Sequence, residues 1–232
     1  MPERRFGVGL IVPSSNTVME PDFHRAFAGF ATVSTTRIFL ESVTRDAESD
    51  MVRNELPGAT RLIRTGAPDV IVFGCTSAGS LAGLHGDRNI AAFIEEATQS
   101  KAVTVLSAVV DELLALKARR IAVLTPYTDE LSHSVADCID DAGFIVVECR
   151  GMGIVSNRDI GRVTPDEIVN FVHAEGLAEN IEADCVFLSC TNWRVSEAVP
   201  ILRNTLKIPM VTSNQACINA SFQLMDGNSS PT

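Results

Sequence analysis

The sequence of 232 residues is poor in aromatic side chains and contains no long apolar segment. It has one tryptophan and one tyrosine, so the tyrosine, Tyr127, stands out as a residue to explain. No segment approaches the ~20 apolar residues that a membrane-spanning helix needs. The apolar stretch near the N-terminus also turns polar too soon for a secretory signal. We therefore expect a soluble, cytoplasmic protein.

A surplus of basic residues is also missing. The chain carries 19 lysines and arginines against 29 aspartates and glutamates, which gives a formal net charge of −10 at pH 7. This balance argues against nucleic acid and anionic membranes as partners, because both attract basic surfaces. A small carboxylic acid is still a suitable ligand, since a pocket can bind it through local hydrogen-bond donors. The sequence leaves open whether the chain forms a homodimer.

Motifs for metals, disulfides and nucleotides are absent from the sequence. No CxxC pair or histidine-paired spacing occurs, so we expect reduced thiols and no metal site. The four histidines occur singly, without a serine or aspartate at triad spacing. No G-x-G-x-x-G follows the first strand and no phosphate-binding loop motif exists, so nothing indicates a nucleotide cofactor. The six cysteines are Cys75, Cys138, Cys149, Cys185, Cys190 and Cys217.

What the chain does contain is a regular alternation of short β-branched runs with helix-period segments. Such alternation, with nearly continuous apolar strands, indicates an α/β fold whose parallel sheet is covered by helices on both faces. The predicted strands are 6–12, 32–40, 70–75, 102–107, 120–125, 144–150, 185–190 and 209–213.

The same features occur twice along the chain. A strand followed by proline ends at Pro13 and again at Pro126, and a strand followed by Cys-Thr occurs at Cys75 and again at Cys190, at nearly the same offset. This repeat predicts two similar Rossmann-like halves, each a four-stranded parallel sheet, related by a pseudo-twofold axis with the site between them. One large sheet with two chance Cys-Thr pairs is the alternative.

We expect the first half to comprise residues 1–112 together with 214–232, and the second to comprise residues 113–213. The segment 213–225 is predicted to form a final helix that returns to the first half. Right-handed crossovers place the carboxyl ends of all strands in a half on the same side of its sheet.

Both Cys-Thr pairs lie where a predicted strand ends and a helix begins. Ligands of open α/β sheets bind beyond the carboxyl ends of the strands. The free N–H groups of a helix start bind carboxylates and lower the pKa of a thiol, which favours a nucleophile or a general base. Buried structural cysteine is the alternative, and it suits Cys185 better because Cys185 begins a strand. The two segments are Cys75-Thr76-Ser77 and Cys190-Thr191-Asn192.

Further polar residues follow other strands of the predicted sheets. Ser14 and Asn16 follow Pro13, Tyr127 follows Pro126, and Asn157 lies in a polar loop containing three glycines. Helix capping explains the serines equally well, interface packing explains the tyrosine, and a turn explains Asn157. Each of these residues is also a suitable hydrogen-bonding partner for a carboxylate.

Together these segments resemble the aspartate/glutamate racemase superfamily, and within it the maleate cis–trans isomerases and arylmalonate decarboxylases. The resemblance rests on "PSSNTVME" at residues 13–20, the Cys-Thr-Ser at 75–77 and the Ser-Cys-Thr at 189–191, and it covers nearly the whole chain. It implies that Cys75 and Cys190 are catalytic. It assigns substrate-binding roles to Ser14, Asn16, Thr76, Ser77, Tyr127, Asn157, Thr191 and Asn192.

The resemblance implies a reaction without a cofactor, in which maleate becomes fumarate through a succinyl-type adduct on cysteine. It also implies a glycine at the first cysteine position of the decarboxylases, so Cys75 argues against that activity. Polar residues after each thiol, in "CTSAGS" and "CTNWRV", depart from the isomerase pattern. A two-cysteine racemase of an amino acid or hydantoin is the main alternative, and a non-catalytic carboxylate-binding protein is a further one.

Overall fold

The computed structural model describes residues 6–174 and 182–227, which form two four-stranded sheets flanked by helices. All strands within each sheet are parallel. The first sheet has the order β2-β1-β3-β4 and the second has the equivalent order β6-β5-β7-β8. The strands are β1 Phe6–Pro13, β2 Ala31–Ile38, β3 Val70–Phe73, β4 Lys101–Thr104, β5 Arg120–Thr125, β6 Ile145–Gly151, β7 Cys185–Leu188 and β8 Met210–Thr212.

This architecture confirms the predicted fold and its two similar four-stranded sheets. The central strands β3 and β7 are buried along their whole length, as expected for parallel strands covered on both faces. The repeat therefore reflects two copies of one strand order, with β3 and β7 in equivalent positions.

Helices cover both sheets, and none of the helices in the described ranges is both long and apolar enough to cross a membrane. A π-helical turn, Met51–Glu55, joins α2 to α3, and a 3-10 turn follows at Arg64–Gly66. The helices are α1 Met19–Ala26, α2 Arg45–Asp50, α3 Leu56–Ile63, α4 Thr76–Ser80, α5 Gly83–Thr98, α6 Val105–Ala115, α7 Asp129–Asp141, α8 Asn157–Ile160, α9 Pro165–Ala174, α10 Val195–Leu202 and α11 Ser213–Gly227.

Five of the eight strands end earlier than predicted, and β4 and β8 do so because a helix begins earlier than the apolar pattern suggests. The predicted strand 102–107 ends at Thr104, and α6 starts at Val105. The buried carboxylate of Asp87 explains this early start, since its Oδ2 accepts hydrogen bonds from the Ser107 backbone N–H at 3.0 Å and from the Ser107 hydroxyl at 2.7 Å. A distant side chain thus satisfies a free N–H group of the first helical turn.

Four other strands also end earlier than predicted, whereas β5 ends as predicted and β1 and β6 each end one residue later. The strands predicted at 32–40, 70–75, 185–190 and 209–213 end at Ile38, Phe73, Leu188 and Thr212. The residues beyond these ends are therefore free to form the loops and helix starts above the sheets.

The final helix α11 returns to the first half, as predicted. It packs on α6, α1 and β4, and the ring of Phe222 stacks on Phe27 of the first half at a centroid distance of 4.4 Å. The division of the chain at residues 112 and 213 stays a prediction.

Gly151, at the end of β6, permits a close approach between two segments of backbone. A Cβ atom at this position would lie 2.3 Å from the carbonyl oxygen of Tyr127 and 2.5 Å from Ser132 Oγ. We expect Gly151→Ala to lower the free energy of unfolding by about 1–3 kcal/mol, because the clash involves backbone. Urea unfolding measures this loss.

Gly58→Ala is the matched control, since a Cβ atom on Gly58 meets nothing within 4 Å and the residue lies in α3. We expect this change to raise the free energy of unfolding by up to about 1 kcal/mol. Equal effects of the two substitutions would contradict the packing around Gly151.

Candidate active site

The two Cys-Thr pairs meet in one cavity between the sheets. Cys75 lies just after β3 and Cys190 just after β7, the equivalent strands of the two halves. Both thiols line a cavity of about 10 Å³. Its walls are formed by Pro13, Asn16, Leu40, Val43, Glu48, Cys75, Thr76, Ser77, Tyr127, Asn157, Cys190 and Thr191.

The cavity is closed in this conformation. A volume of this size holds about one water molecule, so a small organic acid enters only when part of the wall moves. Leu40 and Val43, from the segment between β2 and α2, form the apolar part of the wall. The Val43 N–H donates a hydrogen bond to the carbonyl of Val155 at 2.9 Å, which ties this segment to the second half.

The Cys75 thiol is buried beside hydrogen-bond donors of α4. Its Sγ lies 3.9 Å from Ser77 Oγ and accepts a hydrogen bond from the Ala78 N–H. Burial nevertheless raises the pKa of the Cys75 thiol well above its ordinary value, and the nearby Glu48 raises it further. The N–H group at the helix start does lower this pKa, as expected, but the cost of desolvating the thiolate outweighs it and the net shift is upward.

Cys190 lies in a similarly dry environment with more hydrogen bonds. The Asn192 N–H donates to its Sγ at 3.3 Å, and the Tyr127 hydroxyl is a second partner of the sulfur. The Cys190 N–H donates to Ser213 Oγ at 3.1 Å, which fixes the backbone. Burial raises the pKa of the Cys190 thiol to about 12, although the Tyr127 hydroxyl and the backbone N–H groups act in the opposite direction.

The Asn16 side chain lines the cavity and forms hydrogen bonds to both halves. Its Oδ1 accepts hydrogen bonds from the N–H groups of Val18 and Met19 at 3.1 and 3.0 Å, at the start of α1. Its Nδ2 donates to Thr191 Oγ1 at 3.0 Å, and Thr191 Oγ1 donates to the carbonyl of Gly74 at 2.9 Å. The segments after β1, β3 and β7 are therefore connected by one chain of hydrogen bonds.

Asn157 is the first residue of the short helix α8, where the sequence had indicated a loop. Its Nδ2 donates to Ser15 Oγ at 2.8 Å, across the two halves. Asn192 donates from its Nδ2 to the carbonyl of Asn157 at 2.6 Å, and its Oδ1 accepts from the Thr17 N–H at 2.8 Å. Asn192 thus holds Asn157 and Thr17 in position but does not itself line the cavity.

Ser14 is the other predicted binding residue that lies outside the cavity wall. It is exposed, and its Oγ accepts a hydrogen bond from the Leu40 N–H at 3.4 Å. The structure brings the remaining predicted residues together around the cavity: Cys75, Cys190, Asn16, Thr76, Ser77, Tyr127, Asn157 and Thr191.

Glu48 is a cavity residue that the sequence analysis missed. It lies on α2 with no exposed surface, and its Oε1 accepts a hydrogen bond from Ser77 Oγ at 2.5 Å. Burial raises the pKa of the Glu48 carboxyl from 4.5 to about 8, against the opposing effects of Ser77 and Arg45. A signal was present in the sequence, since Glu48 lies one turn before Met51 on the face that continues through Leu56 of α3.

In the described part of the chain, no group of three or more histidine, cysteine or acidic side chains is arranged to hold a metal ion. The cavity therefore offers thiols, hydroxyls, amides and one carboxyl for its chemistry.

The raised pKa of Glu48 makes stability depend on pH. The protonated form stabilises the fold fully below pH 4.5, and this contribution is lost as the pH rises towards 8. We expect Glu48→Gln to become more stable than the natural protein over this range, by several kcal/mol at pH 8, since one pKa unit corresponds to about 1.4 kcal/mol. Urea unfolding at pH 5, 6.5 and 8 measures the difference.

Glu96→Gln is the control, because Glu96 is an exposed glutamate on α5. Its effect on the free energy of unfolding should stay small at every pH. A difference between Glu48→Gln and the natural protein that is constant with pH would contradict the buried position of the carboxyl.

Comparison with known proteins places these features in a family. Residues 8–231 match the family model for arylmalonate decarboxylase. The chain is 27% identical over 221 residues to arylmalonate decarboxylase from Bordetella bronchiseptica, covering 95% of this chain and 90% of the relative. It is equally 27% identical over 239 residues to maleate isomerase from Pseudomonas putida, covering 95% of this chain and 92% of the relative.

Solved structures of the same two kinds of enzyme share the fold. A Nocardia farcinica maleate cis–trans isomerase, a Cys-to-Ser variant with a covalently bound succinylcysteine intermediate, has a TM-score of 0.87 at 21% identity, covering 96% of this chain and 94% of that chain. A liganded double variant of arylmalonate decarboxylase also has a TM-score of 0.87, at 24% identity, covering 97% of this chain and 94% of that chain.

The resemblance to maleate isomerases and arylmalonate decarboxylases is thereby confirmed, and with it the expectation of an enzyme similar to the maleate isomerases. The family match spans both sheets and both cysteine segments. The chain belongs to the arylmalonate decarboxylase family.

Proposed function

We propose that this protein is a cofactor-independent isomerase of a small dicarboxylate, which converts maleate to fumarate. The observation that carries the proposal is the meeting of two thiols, Cys75 and Cys190, in one closed cavity at the ends of equivalent strands. Similarity to several maleate isomerases over most of the chain supports it. The arylmalonate decarboxylase is equally similar, but the resemblance gives decarboxylases glycine in place of the first cysteine.

Each thiol has its own task in this reaction. A carboxylate of maleate takes the proton of the Cys75 thiol as Sγ adds to one alkene carbon, and the π electrons move towards the carboxylate on the other alkene carbon to give an enediolate. The Cys190 thiol donates its proton to the neighbouring carbon, which leaves a succinyl adduct with a single bond that rotates. The Cys190 thiolate then removes a proton from the same carbon, the bond from the other carbon to Cys75 Sγ breaks, the sulfur takes back its proton from the carboxyl group, and fumarate leaves.

The polar residues of the cavity bind the carboxylates and stabilise the enediolate. Asn16 and Asn157 each use one amide N–H within the protein, which leaves a second N–H for the substrate. The Tyr127 hydroxyl lies against Cys190, and Thr76, Ser77 and Thr191 line the remaining wall. Fixed donors of this kind stabilise developing negative charge without reorganisation.

A two-cysteine racemase is the second candidate. The residues that line the cavity, all within the described ranges, include no lysine, arginine or histidine to neutralise a dianion. This observation favours a substrate with a single carboxylate, such as an amino acid or hydantoin, whose α-proton one thiol removes and the other replaces.

Removal of either thiol should lower turnover of maleate by orders of magnitude, because nucleophile and proton-transfer groups act together. The variants are Cys75→Ala and Cys190→Ala, with Cys185→Ala as a matched control, since Cys185 is buried at the start of β7 away from the cavity. Proton NMR of maleate and fumarate in deuterated water follows the reaction. Turnover near that of the natural protein after either cavity substitution would contradict the proposal.

Tyr127→Phe tests whether the hydroxyl serves the reaction of a dicarboxylate. A buried group left without its partner costs ~1–3 kcal/mol. We therefore expect kcat/KM for maleate to fall roughly tenfold or more, with a much smaller effect on deuterium exchange of any monocarboxylate. Inert maleate together with α-proton exchange in an amino acid or hydantoin would favour the racemase instead.

A further inference from the structure

Glu48 has a buried oxygen that no protein group satisfies. Its Oε1 accepts a hydrogen bond from Ser77 Oγ, whereas its Oε2 has no hydrogen-bond partner among the described residues. The side chain has no exposed surface and lines the same cavity as the two thiols. Because a buried polar atom without a partner is costly, this oxygen is a binding group that an occupant of the cavity would satisfy.

The charges around Glu48 determine which kind of ligand group fits beside it. Arg45 is the cation that acts on Glu48 electrostatically, but its guanidinium bonds outward, to Glu130 Oε1 at 3.2 Å and to Ser134 Oγ at 2.8 Å. No cation is present among the described residues that line the cavity. An ionised Glu48 would therefore repel both an incoming carboxylate and the thiolate of Cys75.

We propose that Glu48 acts as a neutral carboxylic acid and donates a hydrogen bond from Oε2 to one carboxylate of the substrate. This inference rests on the proposed function, because it identifies the group that receives a carboxylate of the small diacid. Ser77 orients the carboxyl by donating to Oε1, so Oε2 carries the proton and faces the cavity. The acid thus replaces the arginine or lysine that would otherwise bind an anion.

Burial keeps this acid protonated over the neutral range, since the pKa of the Glu48 carboxyl is raised to about 8. The other titratable groups that face it are the thiols of Cys75 and Cys190 and the hydroxyl of Tyr127. Their pKa values are raised to about 12 for Cys190 and well above the ordinary value for Cys75 and Tyr127. Among these four groups, Glu48 is therefore the one whose ionisation below pH 9 changes the binding of a carboxylate.

The opposite role, in which Glu48 accepts a hydrogen bond, would not give this pH dependence. If an ionised Glu48 accepted a hydrogen bond from an ammonium or N–H group of the substrate, binding of a diacid would be weak at all pH values. If a neutral Glu48 instead donates to a carboxylate of the diacid, Glu48 loses this proton as the pH rises through 8, and binding of the diacid weakens.

Succinate is a suitable probe, since it carries two carboxylates but no alkene to which a thiol adds. Isothermal titration calorimetry gives its Kd for the natural protein, Glu48→Gln and Glu48→Met at pH 6.5 and pH 9. Glutamine retains an oxygen for Ser77 and an N–H donor for the substrate, and methionine retains the length of the side chain but no donor. Unfolding curves confirm that each variant is folded.

For the natural protein we expect the Kd of succinate to rise about tenfold between pH 6.5 and pH 9, because about one carboxyl in ten stays protonated one pKa unit above 8. For Glu48→Gln the two Kd values should agree within about threefold, because the amide does not titrate. For Glu48→Met binding at pH 6.5 should be about tenfold weaker than for the natural protein, which is the loss of one hydrogen bond to a charged group, and it should not weaken further at pH 9.

Three results would overturn the inference: no binding of succinate to the natural protein at pH 6.5, tighter binding at pH 9, or unchanged binding by Glu48→Met. If Glu48→Met does not fold, the pH dependence of the natural protein against Glu48→Gln decides. Turnover of maleate is measured separately. Succinate binding with the expected pH dependence but no maleate turnover would refute the proposed isomerisation and leave the carboxylate site intact.

Discussion

The hydrogen bonds that link Asn16, Thr191 and Gly74 hold the two halves in the arrangement on which the site depends. Thr191 Oγ1 accepts from Asn16 Nδ2 and donates to the Gly74 carbonyl, so one hydroxyl joins the segments after β1, β3 and β7. Cys75 directly follows Gly74, and Cys190 directly precedes Thr191. The same contacts that close the two sheets on each other therefore fix the positions of the two thiols.

Burial then determines the electrostatics of the cavity. Desolvation is the largest cause of the raised pKa values of Cys75, Cys190, Tyr127 and Glu48. All four groups are thus held in their neutral forms at neutral pH, in a cavity with room for about one water molecule. In the proposed reaction, a nucleophilic thiolate is therefore unfavourable in the resting cavity and forms only when substrate binds.

The sequence predicted the fold well because its main signals are local and repeated. Buried strands, helix ends and the duplicated Cys-Thr pairs follow from short stretches of chain, and even the return of α11 to the first half was predictable. The strand ends were harder to predict, since a distant carboxylate, Asp87, supports the start of α6. Glu48 was missed because a glutamate in a polar helix usually faces solvent, although Met51 and Leu56 mark the buried face on which it lies.

The sign of the thiol pKa shifts could not be obtained from the sequence either. A helix start lowers the pKa of a thiol and burial raises it, and the balance depends on how much water the cavity excludes. Ser14 and Asn192 illustrate the same limit, because both follow strand ends but one faces solvent and the other bonds to Asn157 and Thr17 behind the cavity wall.

The most direct test of the account is whether maleate forms a covalent bond with Cys75. Intact-protein mass spectrometry of Cys190→Ser incubated with maleate, followed by peptide mapping, measures this. We predict a mass increase equal to one maleic acid, located on Cys75 and absent when Cys75 is also replaced by alanine. An adduct on another cysteine, or no adduct in a folded variant that binds succinate, would contradict the assignment of Cys75 as the nucleophile.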